Sequence, residues 1–302
     1  MFQHPARVRH PRTAPLALLP LLPLVLLASP ARPRDLRVPD EHPTIQSALD
    51  AALAGDRVRV APGVYREIVS LHDSVTVTSD PPWEALIVGE VHLHFLKQAA
   101  IEGFTVVSNY GGIHCFGGEN NRITGNLVAG GDDAVGPGIT CFDASALISQ
   151  NVVFRRLGIG IYLERSSATI VQNTIVENGS DERPRAGIHC GPGATPLIEG
   201  NIIAFGRGPA ILCEAGANPS VRCNDLFANA GGDLVCGTGT GPNLSDDPAF
   251  CDRTAGQLAL RADSPCVEAA GCGRIGAQAV GCAASAVEAA TWGRIKARPF
   301  SE

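Results

Sequence analysis

Residues that build long helices are the first thing this chain is short of. Only 18% of its 302 residues are charged, and long charged helix-formers are scarce. In their place, the middle of the chain is rich in Gly, Asn, Ile and Val, a mixture suited to short strands joined by tight turns. No Cys-x-x-Cys pair occurs and no Cys/His set has zinc-finger spacing, which excludes the common structural zinc modules. There is no Gly-x-Ser-x-Gly, and no Gly-x-Gly-x-x-Gly opens a helix, so neither a nucleophile elbow nor a dinucleotide-binding turn is written here. What the chain does have is 45% hydrophobic residues, enough to bury a core.

The first 31 residues read as an export signal. Arg7, Arg9 and Arg12 form a basic start, and "APLALLPLLPLVLLA" (14–28) is a short, proline-broken apolar run before the small residues "SPA". It is too short for a spanning helix, so no membrane span is expected once it is removed. Its loss takes away three arginines and no acid, moving the formal charge from −6 to −9. An acidic secreted monomer is thus expected, and nucleic acid is a poor partner for it. Ten cysteines, an even number, suit an oxidising compartment.

A repeat dominates the centre. "GIHC" stands at 112–115 and again at 187–190, with "GITC" (138–141), "GIYL" (160–163) and "AILC" (210–213) as variants. The steps between them are 26, 22, 27 and 23 residues, a period that signals a repeat architecture. Asn126, Asn151, Asn173, Asn201 and Asn224 fall 13 or 14 residues after the start of their units. Three residues before each Asn stands Ile123, Ile148, Ile170, Ile198 or Val221; two residues after it stands Val128, Val153, Ile175, Ile203 or Leu226. Alternation within each tetrad places Ile113 and Cys115 inward and His114 outward. Three short strands per coil follow, stacked about 4.8 Å apart, with the asparagines as an inward ladder of turn residues that tolerate unusual backbone angles. Cys115, Cys141, Cys190 and Cys213 are expected to fill the core as free thiols. Upstream, Ile45, Ala48, Leu49 and Ala52 make a helical stripe with Thr44 as N-cap and Gly55 as stop, placed to cover the open end of the coil.

"TIQSALDAALAGDRVRVAPGVYRE" resembles the N-terminal cap of right-handed parallel β-helix proteins of the pectin-lyase-like superfamily. "GIYLERSSATIVQNTIVENG" resembles their repeats, and "DDPAF", "GQLALRADSPC" and "GRIGA" their closing segment. The resemblance implies an all-β, right-handed parallel β-helix over residues 36–282, with a cap at 42–67, regular repeats at 112–229 and a Cys-rich closing segment at 230–282. It implies little about activity, because such folds host many chemistries.

A lyase of this kind needs a base and usually Ca²⁺ on several carboxylates; a hydrolase needs paired carboxylates over one groove. The outward tetrad column reads His114, Thr140, Tyr162, His189, Leu212, without an acid. His92 and His94 share a strand face, but no third ligand is evident, so they read as surface imidazoles and no metal is expected. The remaining charge cluster lies in the longer turns: Asp132, Asp133, Arg155, Arg156, Asp181, Glu182, Arg183 and Arg185, with Tyr162 as a stacking ring. These are the candidate binding rim, the two central arginines its floor and Ca²⁺ an option on its acids. Cys236, Cys251, Cys266 and Cys272 lie in loop-rich sequence and are read as disulfides, paired 236–251 and 266–272. Residues 283–302, with Trp292, Ile295 and Phe300, read as a tail. The functional expectation is a secreted β-helix that presents an extended surface to polysaccharide or cell-envelope components without evident catalysis; the alternative is a lyase or hydrolase acting on an acidic polysaccharide.

Overall fold

The structure, a computed structural model, describes Met1 and residues 32–130, 133–181, 185–233 and 241–282. Residues 2–31, expected as an export signal, and 283–302, expected as a tail, lie outside the described residues. From Pro33 onward the chain winds into a parallel coil of three sheets with nine, seven and eight strands. We call the seven-stranded one the tetrad sheet, because its strands carry the repeated tetrads: Ile113–Phe116, Ile139–Phe142, Ile161–Glu164, Ile188–Cys190 and Ile211–Cys213, preceded by Val69–Ser70 and Val91–His94. The nine-stranded sheet starts at Asp35–Val38 and ends at Ser220–Arg222. The eight-stranded sheet runs from Gly63–Tyr65 to Asp225–Phe227.

The register agrees with the repeat. Ile113, Ile139, Ile161, Ile188 and Ile211 pair in sequence from coil to coil. So do Ile123, Ile148, Ile170, Ile198 and Val221 on the nine-stranded sheet. The third column, Val128 to Leu226, does the same on the eight-stranded sheet. All three columns are buried, forming one continuous core. The repeated Gly has a steric cause. A Cβ at Gly112 would sit 2.3 Å from the Gly138 carbonyl oxygen, and one at Gly160 2.4 Å from that of Gly187. Coils therefore close on the next coil's backbone, where only glycine fits.

At the corner between the nine- and eight-stranded sheets, each ladder Asn is fully buried. The Oδ1 of Asn151 accepts from the backbone N–H of Asn126 (2.9 Å) and from its Nδ2 (3.1 Å). Asn173, Asn201 and Asn224 repeat the pattern for the coil before each of them. Asn243 extends it below Asn224. The unusual backbone falls one residue earlier than expected: Gly125, Gln150, Gln172, Gly200 and Cys223 have φ between 53° and 67°, and the asparagines satisfy the amides that this turn exposes.

The cap helix, α1 (Ile45–Ala51), is one residue shorter than its stripe. It ends on extended Ala52, and Gly55 (φ 93°) serves the following turn instead. Thr44 and Ser47 form a reciprocal capping pair. The Glu67 carboxylate accepts from the backbone N–H groups of Ile45 and Gln46. A four-residue strand, Asp35–Val38, precedes the helix and pairs with Arg57–Val60, so the coil starts upstream of the cap.

The cysteines correct the expected pairing. Cys251 bonds to Cys282, and Cys272 bonds back to Cys223 in the solenoid turn. Cys266 is a buried free thiol whose Sγ donates to Asp225 at 3.1 Å. Cys213 is disulfide-bonded too, whereas Cys115, Cys141 and Cys190 are buried thiols. Cys236 lies outside the described residues. The pairing follows from where the closing segment docks on the coil, which residue spacing does not encode.

Candidate functional site

The coil has three outer faces, and they differ. On the nine-stranded sheet several outward side chains are charged and pair across coils: Arg59 with Asp35 and Asp80, Arg122 with Glu102 (2.7 Å), Arg222 with Glu199 (2.9 Å). Such exposed ladders are solvated and contribute little energy. The eight-stranded sheet is apolar outside as well as inside. Leu127, Ala129, Val152, Phe154 and Val176 are buried there with Leu258, while Ile202 and Ala204 are buried with Leu260, Ala269 and Ile275. The closing segment thus covers that face. The Ala277 N–H donates to Thr174 Oγ1 and the Gly276 N–H to the Gly200 carbonyl.

The tetrad sheet has no cover among the described residues. Its outward positions hold rings. His94 stacks on His92 (centroids 4.7 Å apart) and on Phe116 (4.8 Å). Phe116 meets Phe142 edge-on at 6.1 Å, and the Arg165 guanidinium caps Phe142 at 4.1 Å. Tyr162 meets His189 edge-on at 5.3 Å. Phe95 and Tyr110, at the flanks, are each 81% exposed. Thr140 faces outward in this column as expected, yet only 7% of it is exposed, between neighbours on both adjacent coils.

Two polar groupings interrupt the rings. Toward the N-terminal end, Glu90 Oε2 lies 3.0 Å from His92 Nε2 and 3.9 Å from His114 Nε2. His114 packs over Gly111, where a Cβ would stand 2.3 Å from its Nε2. Burial pushes the His114 pKa down, Glu90 partly offsetting the effect. Toward the C-terminal end, the Tyr162 hydroxyl donates to Glu164 (2.6 Å). Arg165 bridges Glu164 and Asp143, and His189 contacts Glu214 at 2.9 Å. Desolvation, then the bond to Glu164, pushes the Tyr162 phenol up to about 12. Acids thus do gather at this face. The outward column alone hid them: Glu90 lies just before its strand, Glu164 and Glu214 two residues after the column positions, and Asp143 just past Phe142.

The expected rim is not one surface. Asp132, Glu182 and Arg183 lie outside the described residues. Asp133 and Arg185 are exposed, and Asp181 lies 3.5 Å from Arg207. Arg155 turns toward the closing segment: it stacks on Phe154, pairs with Glu177 at 2.6 Å and donates to the Thr254 carbonyl. Arg156 is fully buried and corrects the expectation of a binding floor. Its guanidinium donates to the carbonyls of Ser108, Ala129 and Gly136, and its backbone N–H to Asn178 Oδ1. Burial brings its pKa down to about 10, which Glu90 partly counters. Arg156 occupies the place that Asn178 and Asn229 hold in other coils, a second ladder at the opposite end of the eight-stranded sheet. The available signal was an Asn five residues after a ladder Asn (173 to 178, 224 to 229), with Arg156 five after Asn151. Tyr162 is the one rim candidate that the structure sets on the ring face.

Among the described residues, the one cluster of three His, Cys, Asp or Glu side chains close enough to share an ion is Glu90, His92 and His114. No described helix is long and apolar enough to cross a membrane.

Residues 98–247 match the family model described as the right handed beta helix region. No curated protein sequence matches the chain. Among solved structures, it is similar to the A-module of the Azotobacter vinelandii mannuronan C-5 epimerase, with 16% identity and TM-score 0.45 over 62% of this chain and 67% of that one. It is also similar to a pectin methylesterase from Aspergillus niger, with 13% identity and TM-score 0.44 over 72% and 85%. A third is the pectate lyase Pel9A, with 12% identity and TM-score 0.32 over 83% and 97%. The chain is a parallel β-helix of three sheets, and its residues 98–247 carry the right handed beta helix pattern of that family model.

Proposed function

We propose that this β-helix is a secreted, carbohydrate-associated protein that receives an extended glycan chain along its tetrad sheet. One observation carries the reading: the ring column from His92 to His189 lies on the outer face that no described segment covers, and it is flanked by the two exposed rings of Phe95 and Tyr110. Ring faces bury the apolar faces of sugars, and the imidazoles, Tyr162 and the carboxylates beside them offer hydrogen bonds to hydroxyls along the same line. A face that repeats coil by coil suits a polymer better than a compact ligand. Secretion rests on the apolar leader and is consistent with the disulfides.

The test is a glycan array and titration calorimetry with wild type and Phe95→Ala/Tyr110→Ala. Both rings are exposed, so the variant folds; loss of at least tenfold in affinity is expected. An unchanged binding profile, or no glycan bound by wild type, would remove the proposal.

A second reading, glycan cleavage, is favoured by the Tyr162–Glu164–Arg165–Asp143 grouping beside His189 and Glu214. A phenol and an imidazole in contact, flanked by carboxylates, can move protons at a sugar ring. Incubation with acidic polysaccharides, followed for new reducing ends and for unsaturated products, tests it; Tyr162→Phe is expected to abolish any turnover.

A further inference from the structure

We propose that Glu90, His92 and His114 form a binding site for a divalent transition-metal ion of the zinc type at the N-terminal end of the ring face. The site is independent of what the rest of the face binds.

Three donors that suit such an ion converge from two neighbouring coils. His92 and His114 are paired positions on adjacent strands, so their rings project side by side from the sheet. Glu90 stands at the turn into the first of those strands, and its carboxylate reaches both Nε2 atoms, at 3.0 and 3.9 Å. One donor atom from each residue lies within 4.8 Å of the others. An ion seated among them needs only small side-chain movement to reach the usual bond lengths of about 2.0–2.2 Å for zinc to imidazole and carboxylate. Each of the three side chains is between 16% and 24% exposed. The remaining coordination positions thus open to solvent, where water or a ligand on the ring face would complete the shell.

His114 supplies a second, separate reason. Its Nε2 is too far from Glu90 for a hydrogen bond, and its Nδ1 is buried without a partner. A ring nitrogen buried without a partner is costly, and such groups call for an explanation. An ion drawn between Glu90 and the two rings gives Nε2 the partner that the protein does not provide. His94 does not share in this: it turns away to stack between His92 and Phe116.

Two features select among ions. Two imidazoles and one carboxylate suit zinc and its neighbours in the first transition row; Ca²⁺ and Mg²⁺ prefer all-oxygen shells. The buried Arg156 guanidinium acts in two directions. It interacts favourably with the Glu90 carboxylate, and it repels any added cation. That repulsion disfavours weakly held ions and leaves those that make strong bonds to nitrogen.

The test uses the full mature chain with the metal alone. Zinc titration by calorimetry is expected to show one site per chain, and cobalt is expected to give visible d–d absorption. Calcium at the same concentration is expected to give no heat. Glu90→Gln keeps size and shape and should weaken zinc at least tenfold, as should His92→Asn; His94→Asn should leave it unchanged. Zinc should raise the unfolding temperature of wild type and not that of Glu90→Gln, a readout that needs no enzymatic activity. Equal zinc affinity in wild type and Glu90→Gln would assign the ion to other groups and overturn the proposal, as would no saturable binding in wild type. Should the ring-face variant Phe95→Ala/Tyr110→Ala lose glycan while keeping zinc, the two sites are separate. Glycan failure alone leaves the zinc result standing.

Discussion

The eight-stranded sheet and the tetrad sheet are built from the same repeat, yet their outer faces have opposite fates. On the eight-stranded sheet, strands such as Leu127–Ala129 and Val152–Phe154 are buried at every position, as strands covered on both sides are. The closing segment lies over them and is pinned by Cys223–Cys272 and by the Arg253–Glu177 ion pair. On the tetrad sheet, strands alternate between buried aliphatics and half-exposed rings. An apolar face of one kind is used up by the chain itself, whereas among the described residues nothing covers the amphipathic one. The difference teaches where to look for a ligand on a solenoid: at the face that has rings and hydrogen-bonding tips but no intramolecular cover.

The largest effect should come from paired phenylalanines. Phe154→Ala, beneath the closing segment, removes a fully buried ring and is expected to cost about 3–5 kcal/mol. Phe116→Ala on the ring face, half-exposed, is expected to cost about 1 kcal/mol or less. Denaturant unfolding measures both; equal losses would break the distinction between the covered and the open face.

Next comes the staple that holds the cover. Cys223→Ser/Cys272→Ser should lower stability by about 2–4 kcal/mol. It should also expose the closing segment to limited proteolysis, with the ring face still folded by glycan or zinc binding. A variant that loses both at once would show that the cover and the coil are one cooperative unit.

The smallest effect is a pH dependence confined to the covered side. Burial raises the Asp225 carboxyl to about 6, with the Cys266 thiol donating to it. Its folded pKa lies above the ordinary value, so the native state holds the extra proton and stability falls as pH rises from about 4 through 6. The gap between about 6 and 3.8, at about 1.4 kcal/mol per pH unit, sets an upper limit on the order of 3 kcal/mol at pH 7. Asp225→Asn should flatten this slope and stabilise the protein at neutral pH. Below pH 4 the trend reverses in both proteins. Asp56, held down to about 2 by Arg34, loses its stabilising contribution as pH falls toward that value. A wild-type profile without the fall between pH 4 and 6 would place Asp225 in a wetter setting than the structure gives it.

Much of the architecture was legible because it is periodic. Ile148, Asn151 and Val153 recur in register, and a short repeat forces each residue type onto one face, so sequence spacing alone assigns inside and outside. The site was less legible. The offset between Val91–His94 and Ile113–Phe116 is one coil of 22 residues, but the upstream coil lacks the Gly-Ile tetrad, so nothing marked His92 as the neighbour of His114. Arg155 and Arg156 looked alike as a charged pair; successive residues at a corner point in opposite directions, and one of them became part of the interior.

By itself, then, the sequence determined the three-strand coil, its register, its asparagine ladder and the capping helix, because local alternation and a fixed period specify these without long-range information. Only the tertiary structure decided which outer face stays open, that Cys223 pairs with Cys272, that Arg156 is buried among carbonyls, and that Glu90 meets two histidines across a coil. Those outcomes depend on where one coil or one closing segment lands on another. That is set by the packing of whole surfaces, to which no spacing between residues along the chain corresponds.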